Sequence, residues 1–240
     1  RPRIVFMVVG FAYFISTEAS FSLGISAVAF SVCWYVLYSM GITPRGQYLL
    51  GGIEGAQKFG SYFAVAVLIL YMGRRYYSGV LLRALGWSRG DPVERHVVWA
   101  ARGLVLCTGA ATLVARYAAG MTWMLSILCV LLVLMMFLVI ARILVERGLY
   151  AIHVWWHPVG VAVGLFGFAA LGPYMLLAVG MFSAVLTIAP GVTMVAMATH
   201  GLRIADDKGV RASRIAPWMI LTLIAAVAIG VPFTIYTQYN

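Results

Sequence analysis

Residues 121–141, MTWMLSILCVLLVLMMFLVIA, contain no charged residue. An α-helix rises about 1.5 Å per residue, so roughly 20 apolar residues cross the ~30 Å hydrocarbon core of a bilayer. No water reaches that region, and a helix satisfies all of its backbone hydrogen bonds within one segment. This segment therefore predicts a transmembrane helix, and the chain an integral membrane protein.

The composition extends this prediction to the whole chain. Of 240 residues, 63% are hydrophobic and 10% are charged, whereas soluble domains carry roughly 25% charged residues. The apolar runs are continuous and do not alternate as the strands of an outer-membrane barrel would. We predict an all-α polytopic bundle of seven or eight spans, some of them broken or kinked. The predicted segments are 4–17, 20–41, 53–73, 96–116, 121–141, 154–172, 174–199 and 215–236.

Arginine and lysine concentrate in three linkers, 74–95, 142–150 and 200–214. These linkers share one side if the spans alternate, and the positive-inside rule predicts that this side is cytoplasmic. The net charge of +10 is thereby explained by topology, and no nucleic-acid partner is expected. Within the first linker, residues 75–88 mix Arg with Leu, Tyr and Trp, which predicts an amphipathic helix on the cytoplasmic face.

No soluble segment separates the apolar runs, so residues 1–240 are predicted to form a single transmembrane domain. The chain starts at Arg1, without an initiator Met, and enters an apolar stretch at once. We therefore expect it to be part of a longer protein.

The segment STEASFSLG, residues 16–24, places Glu18 among the hydroxyls of Thr17, Ser20 and Ser22. An ionised group in hydrocarbon costs roughly 2.5–3.5 kcal/mol on insertion scales. Two interpretations are open. One is a broken helix whose carboxylate binds a cation, a proton or a substrate amine. The other is a tight turn between two spans, with Ser20 capping the next helix.

Glu54 and Lys58 stand four residues apart at the start of the third predicted segment, so they share one helical face and can pair. A neutralised interfacial pair and a polar wall of a permeation cavity are both consistent with this spacing.

His153 and His157 have the same spacing within HVWWHP. Two imidazoles on one face can ligate a metal, or a haem or pigment. No Glu stands between them, however, and Trp155, Trp156 and Pro158 are typical of an interfacial anchor. Both interpretations stay open.

Prolines and glycines interrupt the long apolar region 154–199. LGPYM, around Pro173, predicts a turn between two spans. IAPGV, with Pro190 and Gly191, predicts a kink or an unwound turn inside the following span.

Four segments of the chain resemble a family of large uncharacterised bacterial polytopic membrane proteins with paired domains of unknown function. They are YFISTEASFSLG, GGIEGAQKFGSYFAVAVLILYMGRRY, ARILVERGLY and MATHGLRIADDKGVRASR. The chain departs from the family pattern at 144–147 and at Gly201–Leu202. The resemblance implies that this chain is the C-terminal portion of the family's longer chain. It also implies a loose similarity to oligopeptide-transporter-like carriers.

No hydrolase, phosphate-binding or dithiol motif is present, so an enzyme is not expected. The leading hypothesis is transport of a small solute, alone or coupled to an ion, across a bacterial inner membrane. In this hypothesis Glu18 is the coupling or substrate carboxylate, and Glu54 and Lys58 support it. The alternative is an accessory subunit of a respiratory or photosynthetic membrane complex, in which His153 or His157 contacts a haem or pigment. No cofactor is assigned. The expected partners are the lipid bilayer and either other membrane subunits or a missing N-terminal half.

Overall fold

The computed structural model describes residues 10, 13, 17–41, 52–87, 94–147, 154–187 and 194–239. All regular secondary structure in these ranges is α-helical, which confirms the predicted all-α class. The chain divides into two compact units, Arg1–Arg45 and Gly46–Asn240. The predicted segment 4–17 lies almost wholly outside the described residues, and so does the IAPGV segment.

The described residues of the first unit include one long helix, α1, Thr17–Ser39. From Thr17 onward this helix is continuous, so the predicted break at 16–24 is wrong for the described part of that segment. Glu18 lies in the first turn, where a carboxylate interacts favourably with the positive end of the helix dipole. Ser20 lies inside the helix with its side chain exposed and therefore does not cap it.

The second unit contains seven helices in its described residues. They are α2 Gly52–Met72, α3 Arg74–Ala84, α4 Arg95–Tyr117, α5 Trp123–Arg147, α6 Pro158–Thr187, α7 Met194–Asp207 and α8 Ala212–Tyr239. With α1, the described part of the chain has six helices that are long and apolar enough to cross a membrane. The short helix α3 follows the end of α2 after a single residue, Gly73.

Helix α5 is the centre of this unit, since it packs against α2, α4, α6 and α7. Seven buried residues recur every three or four positions and form a stripe along the helix, as an amphipathic pattern requires. They are Met121, just before the helix, and then Leu125, Cys129, Leu132, Met136, Ile140 and Leu144. Ser126, Val130, Val133 and Val139 are buried beside this stripe. None of the described residues of α8 is buried, and its main contact is with α7.

The stripe divides into two core clusters. The first cluster joins the stripe residues up to Cys129 to α6, through Val159, Ala162, Leu171 and Val179. The second cluster joins the stripe from Leu132 onward to Val154, Trp156 and Ala196. The short segment between Trp156 and Val159 therefore lies where the two clusters meet.

Helix α6 folds back on itself. Gly167 (φ 77°, ψ 161°) and Gly172 (φ 68°, ψ 166°) both leave the helical conformation. The Val159 amide donates a hydrogen bond of 3.1 Å to Ser183 Oγ, whereas a straight helix would separate these two residues by about 36 Å. The element is thus a hairpin with a first arm at 158–166 and a second arm at 173–187.

This hairpin confirms the turn predicted at LGPYM, but the turn joins two short arms and not the two full spans, 154–172 and 174–199, that the sequence predicted. Pro173 lacks an N–H and is tolerated where the second arm begins. By length and composition α6 qualifies as a single span, but the two arms are about 14 Å and 22 Å long at 1.5 Å per residue. Neither arm crosses ~30 Å of hydrocarbon alone. Because a hydrogen bond joins the two arms, α6 is a hairpin and not a single span.

The tip of the hairpin contacts the turn between α4 and α5. Gly120, in that turn, has φ +67°, and a Cβ there would overlap the Tyr174 hydroxyl. Arg116 closes the same turn, because its Nη1 donates to the Met121 carbonyl oxygen at 3.0 Å. The hairpin therefore points its tip toward the Trp123 end of α5.

Replacement of Gly172 by Ala tests the turn of the hairpin. Its backbone conformation is essentially restricted to glycine, so we expect Gly172→Ala to lower the free energy of unfolding by about 1–3 kcal/mol. The measurement is an SDS titration of the protein in mixed micelles. The matched control is Gly164→Ala in the first arm, where nothing lies within 4 Å of an added Cβ and stability should stay equal or rise by up to about 1 kcal/mol. Equal losses in both variants would contradict the hairpin.

A cross-link tests the fold-back directly. In a background with Cys33, Cys107 and Cys129 replaced by Ala, Val159→Cys and Ser183→Cys should react together with a short bifunctional thiol reagent. The expected result is loss of both thiols within a monomer, measured by mass spectrometry, because the two positions are adjacent. Each single variant serves as the control. Two free thiols in the double variant, under conditions in which the reagent modifies each single variant, would indicate a straight helix.

Candidate functional site

The hairpin begins at His157, which is 2% exposed. Pro158, at the first helical position, has the backbone φ that a helix start requires. The His157 carbonyl oxygen accepts a hydrogen bond of 3.0 Å from the Gly160 amide, so His157 occupies the N-cap position. The chain therefore turns from an extended segment at 154–157 into a helix at this point.

His157 also bonds to the far end of the second arm. Its Nδ1 lies 2.7 Å from Thr187 Oγ1, and that hydroxyl donates to the Ser183 carbonyl oxygen at 2.6 Å. A hydroxyl has one hydrogen, so Nδ1 must be the donor in its bond to Thr187. In the neutral ring, Nε2 then carries the lone pair.

Ser183 caps the first arm from the side. Its Oγ accepts the Val159 amide, and it is fully buried, as is Thr187. We call His157, Ser183 and Thr187 together the break site. It lies at the junction of the two core clusters, because Trp156 belongs to one cluster and Val159 to the other.

The amides at the start of the first arm are already engaged. Pro158 has no N–H, Val159 donates to Ser183, and Gly160 donates to the His157 carbonyl. A helix N-terminus binds anions through such amides when they point at the ligand, and these do not. The Ser183 and Thr187 hydroxyls are likewise engaged within the site, and the His157 imidazole is its basic group, which suits a proton.

Helix α2 covers the same segment with aromatic rings. The Trp156 ring makes edge-to-face contacts with Phe59 and Tyr62, at centroid distances of 5.1 Å and 5.8 Å. Trp156 is 1% exposed and belongs to the protein core, so it is not an interfacial anchor as one sequence interpretation had it. Trp155, its neighbour, is exposed.

The predicted pair of Glu54 and Lys58 is confirmed, with Nζ at 2.5 Å from Oε1. Lys58 Nζ also lies 5.2 Å from the centroid of the Trp155 ring, a cation–π contact. The structure thus brings the ion pair, through Trp155, next to the segment that ends at His157. In the sequence, the Glu54–Lys58 pair and the segment HVWWHP are separate motifs.

The other predicted residues are not part of this arrangement. Thr17, Glu18, Ser20 and Ser22 belong to α1 in the first unit and are exposed there, and their binding role stays a prediction. His153 lies outside the described residues. Among those that are described, no group of three His, Cys, Asp or Glu could hold a metal ion.

Ser183 and Thr187 were missed by the sequence analysis. The sequence does contain a signal for them. Their two hydroxyls stand four residues apart in the apolar run MFSAVLTIAP and therefore lie on one helical face. Only the fold-back, however, shows that this face meets His157.

The six candidate spans in the described part of the chain, one of which is the folded-back α6, define a polytopic helical membrane protein. A family model described as Family of unknown function (DUF6785) matches residues 2–240, so the chain belongs to that family. This agrees with the resemblance to an uncharacterised family. No curated protein and no solved structure matches the chain significantly.

Thr187→Val tests the hydrogen bonds of the break site. The variant keeps the side-chain shape but removes the acceptor of the His157 Nδ1 hydrogen, so unfolding free energy should fall by about 1–3 kcal/mol. The control is Thr222→Val on α8, whose exposed hydroxyl bonds to its own helix at the Trp218 carbonyl and should change stability by less than about 0.5 kcal/mol. Both are measured by SDS titration, and similar values for the two would contradict the assignment.

Proposed function

We propose that this protein is a secondary transporter of a small solute, coupled to a proton or a small cation that binds at the break site. One observation carries the proposal. The two arms of α6 begin and end beside His157, Ser183 and Thr187, which are buried between two apolar core clusters. Discontinuous helices that meet inside the bilayer are the usual binding sites of secondary transporters.

The chemistry of the site supports a cation. Polar groups buried in a membrane protein are costly to retain and tend to mark ion or substrate pathways. The nearest helix amides are engaged, which disfavours an anion, and the His157 imidazole is a basic group that can carry a proton. Glu54 and Lys58 lie next to the same segment through Trp155 and supply a polar approach to it.

The sequence adds three finer parts to the proposal. Glu18, in the first unit, is a separate candidate carboxylate for an ion or a substrate amine. The arginine-rich linkers lie in the cytoplasm, which orients the spans in a bacterial inner membrane. The loose resemblance to oligopeptide-transporter-like carriers supports short peptides as the first solute class to test.

Solute-driven cation flux tests this proposal. Purified protein is reconstituted in liposomes that contain a pH-sensitive or a sodium-sensitive dye, and short peptides, amino acids, sugars and nucleosides are added outside. We expect saturable uptake of one class together with cation entry. In His157→Gln, loss of one contact to the cation should slow uptake roughly tenfold, equivalent to about 1.4 kcal/mol. Thr222→Val, remote from the break site, should transport at the wild-type rate.

Two results would contradict the proposal: no saturable uptake of any class, or a wild-type rate in His157→Gln that elutes as a folded monodisperse particle. The same assay tests Glu18 separately. Glu18→Gln is expected to slow coupled uptake, and a wild-type rate would remove this residue from the mechanism while leaving the break site in place.

An accessory subunit of a larger complex is the second candidate. It is favoured by α8, which exposes its apolar side chains along its described length and contacts mainly α7. Gentle purification from native membranes, with particle mass and visible absorption recorded together, separates the candidates. A colourless particle of one or two copies supports the transporter. A large or coloured particle with other chains supports the subunit and directs attention to His157.

A further inference from the structure

A second surface, formed by α3 and the start of α4, is independent of the break site. Helix α3 packs against α4. A Cβ at Gly73, the joint with α2, would overlap the Tyr77 ring. At its other end, Arg102 of α4 donates from Nε to the Ala84 carbonyl oxygen at 3.1 Å. Between these two points Val80 is buried.

The outer surface of α3 combines arginines with large apolar side chains. Arg74 and Arg75 are exposed, and the Arg74 guanidinium lies 4.4 Å from the centroid of the Tyr71 ring. Tyr76, Leu81, Leu85 and Trp87 are each at least half exposed. Residues 74–87 contain no Asp or Glu, and within the described ranges no acidic side chain pairs with Arg74 or Arg75.

The position of α3 along the chain places it at the membrane edge. The candidate span in α2 ends at Met72, and α3 begins two residues later. Aromatic rings at such a position are typical of the headgroup region. A short helix that carries both exposed apolar residues and unneutralised arginines is suited to an anionic bilayer surface. There, negatively charged headgroups cover the apolar acyl chains.

We propose that α3 docks on anionic phospholipid, with Arg74 and Arg75 binding lipid phosphates while Leu81, Leu85 and Trp87 insert among the upper acyl chains. Guanidinium groups bind phosphate oxygens through paired hydrogen bonds. Each basic residue near an anionic bilayer surface strengthens binding by about fivefold. The anchoring sets the depth at which the joint between α2 and α3 is held, and it does not depend on what the protein transports.

Nanodiscs of defined composition test the docking. Wild-type protein and Arg74→Gln/Arg75→Gln are placed in phosphatidylcholine alone or in a mixture with phosphatidylglycerol. Co-purified lipid is counted by native mass spectrometry, and the melting temperature is recorded. We expect phosphatidylglycerol to be retained by the wild type and to raise its melting temperature. The double variant should bind it about 25-fold more weakly and show no such rise.

The matched control is Arg142→Gln, an exposed arginine on α5 that is already neutralised by Glu146 at 2.6 Å. It should retain phosphatidylglycerol within about twofold of the wild type. Equal retention by the wild type and the double variant, or an equal loss in Arg142→Gln, would overturn the proposal. If the double variant does not fold, the salt dependence of the wild type tests the proposal. Retention of phosphatidylglycerol that does not fall with rising salt would also overturn the proposal.

Discussion

The hydrogen bond from the Val159 amide to the Ser183 hydroxyl allows a helix to begin inside the bundle. A helix start leaves amides without intrahelical partners, and in a bilayer no water can bind them. Here Pro158 removes one of these amides and Ser183 satisfies the next. The same serine contributes its carbonyl to Thr187, which positions His157. One buried hydroxyl residue thus links the geometry of the backbone to the position of the imidazole.

Helix α5 supplies the rigid wall against which this arrangement is built. Its stripe of buried residues is continuous, but the groups that pack on it change near Cys129 and Leu132. On one side of that level the partner is the hairpin, and on the other it is the extended chain at 154–156 with α7. A polar site at such a change of partners does not interrupt either apolar cluster, so both clusters keep their packing.

The sequence predicted well what depends on local spacing. Continuous apolar runs predicted α1, α2, α4, α5 and α8, but they left residues 200–207 of α7 in a linker. Gly172 and Pro173 predicted the turn in LGPYM, and the four-residue spacing of Glu54 and Lys58 predicted their ion pair. It failed where one local pattern fits two structures. Hydroxyls and a carboxylate at 17–22 suit a broken helix, but they also suit the first turns of an intact one, which the structure has.

Long-range contacts could not be predicted in the same way. The pairing of His157 with Thr187 joins residues 30 positions apart and exists only because α6 folds back. The chemistry of Trp156 alone is consistent with an interfacial or a buried position. The ring is buried because Phe59 and Tyr62 on another helix pack against it.

The contact between Gly120 and Tyr174 has a consequence for how this family can vary. The space that a side chain at 120 would need is filled by a ring from the hairpin tip, and the positive φ at 120 already favours glycine. A larger residue at 120 therefore requires a different turn and either a displaced Tyr174 ring or a smaller residue at 174. Across related sequences the two positions should change together, although they are far apart in the chain. Such covariation would be evidence for the hairpin from sequences alone.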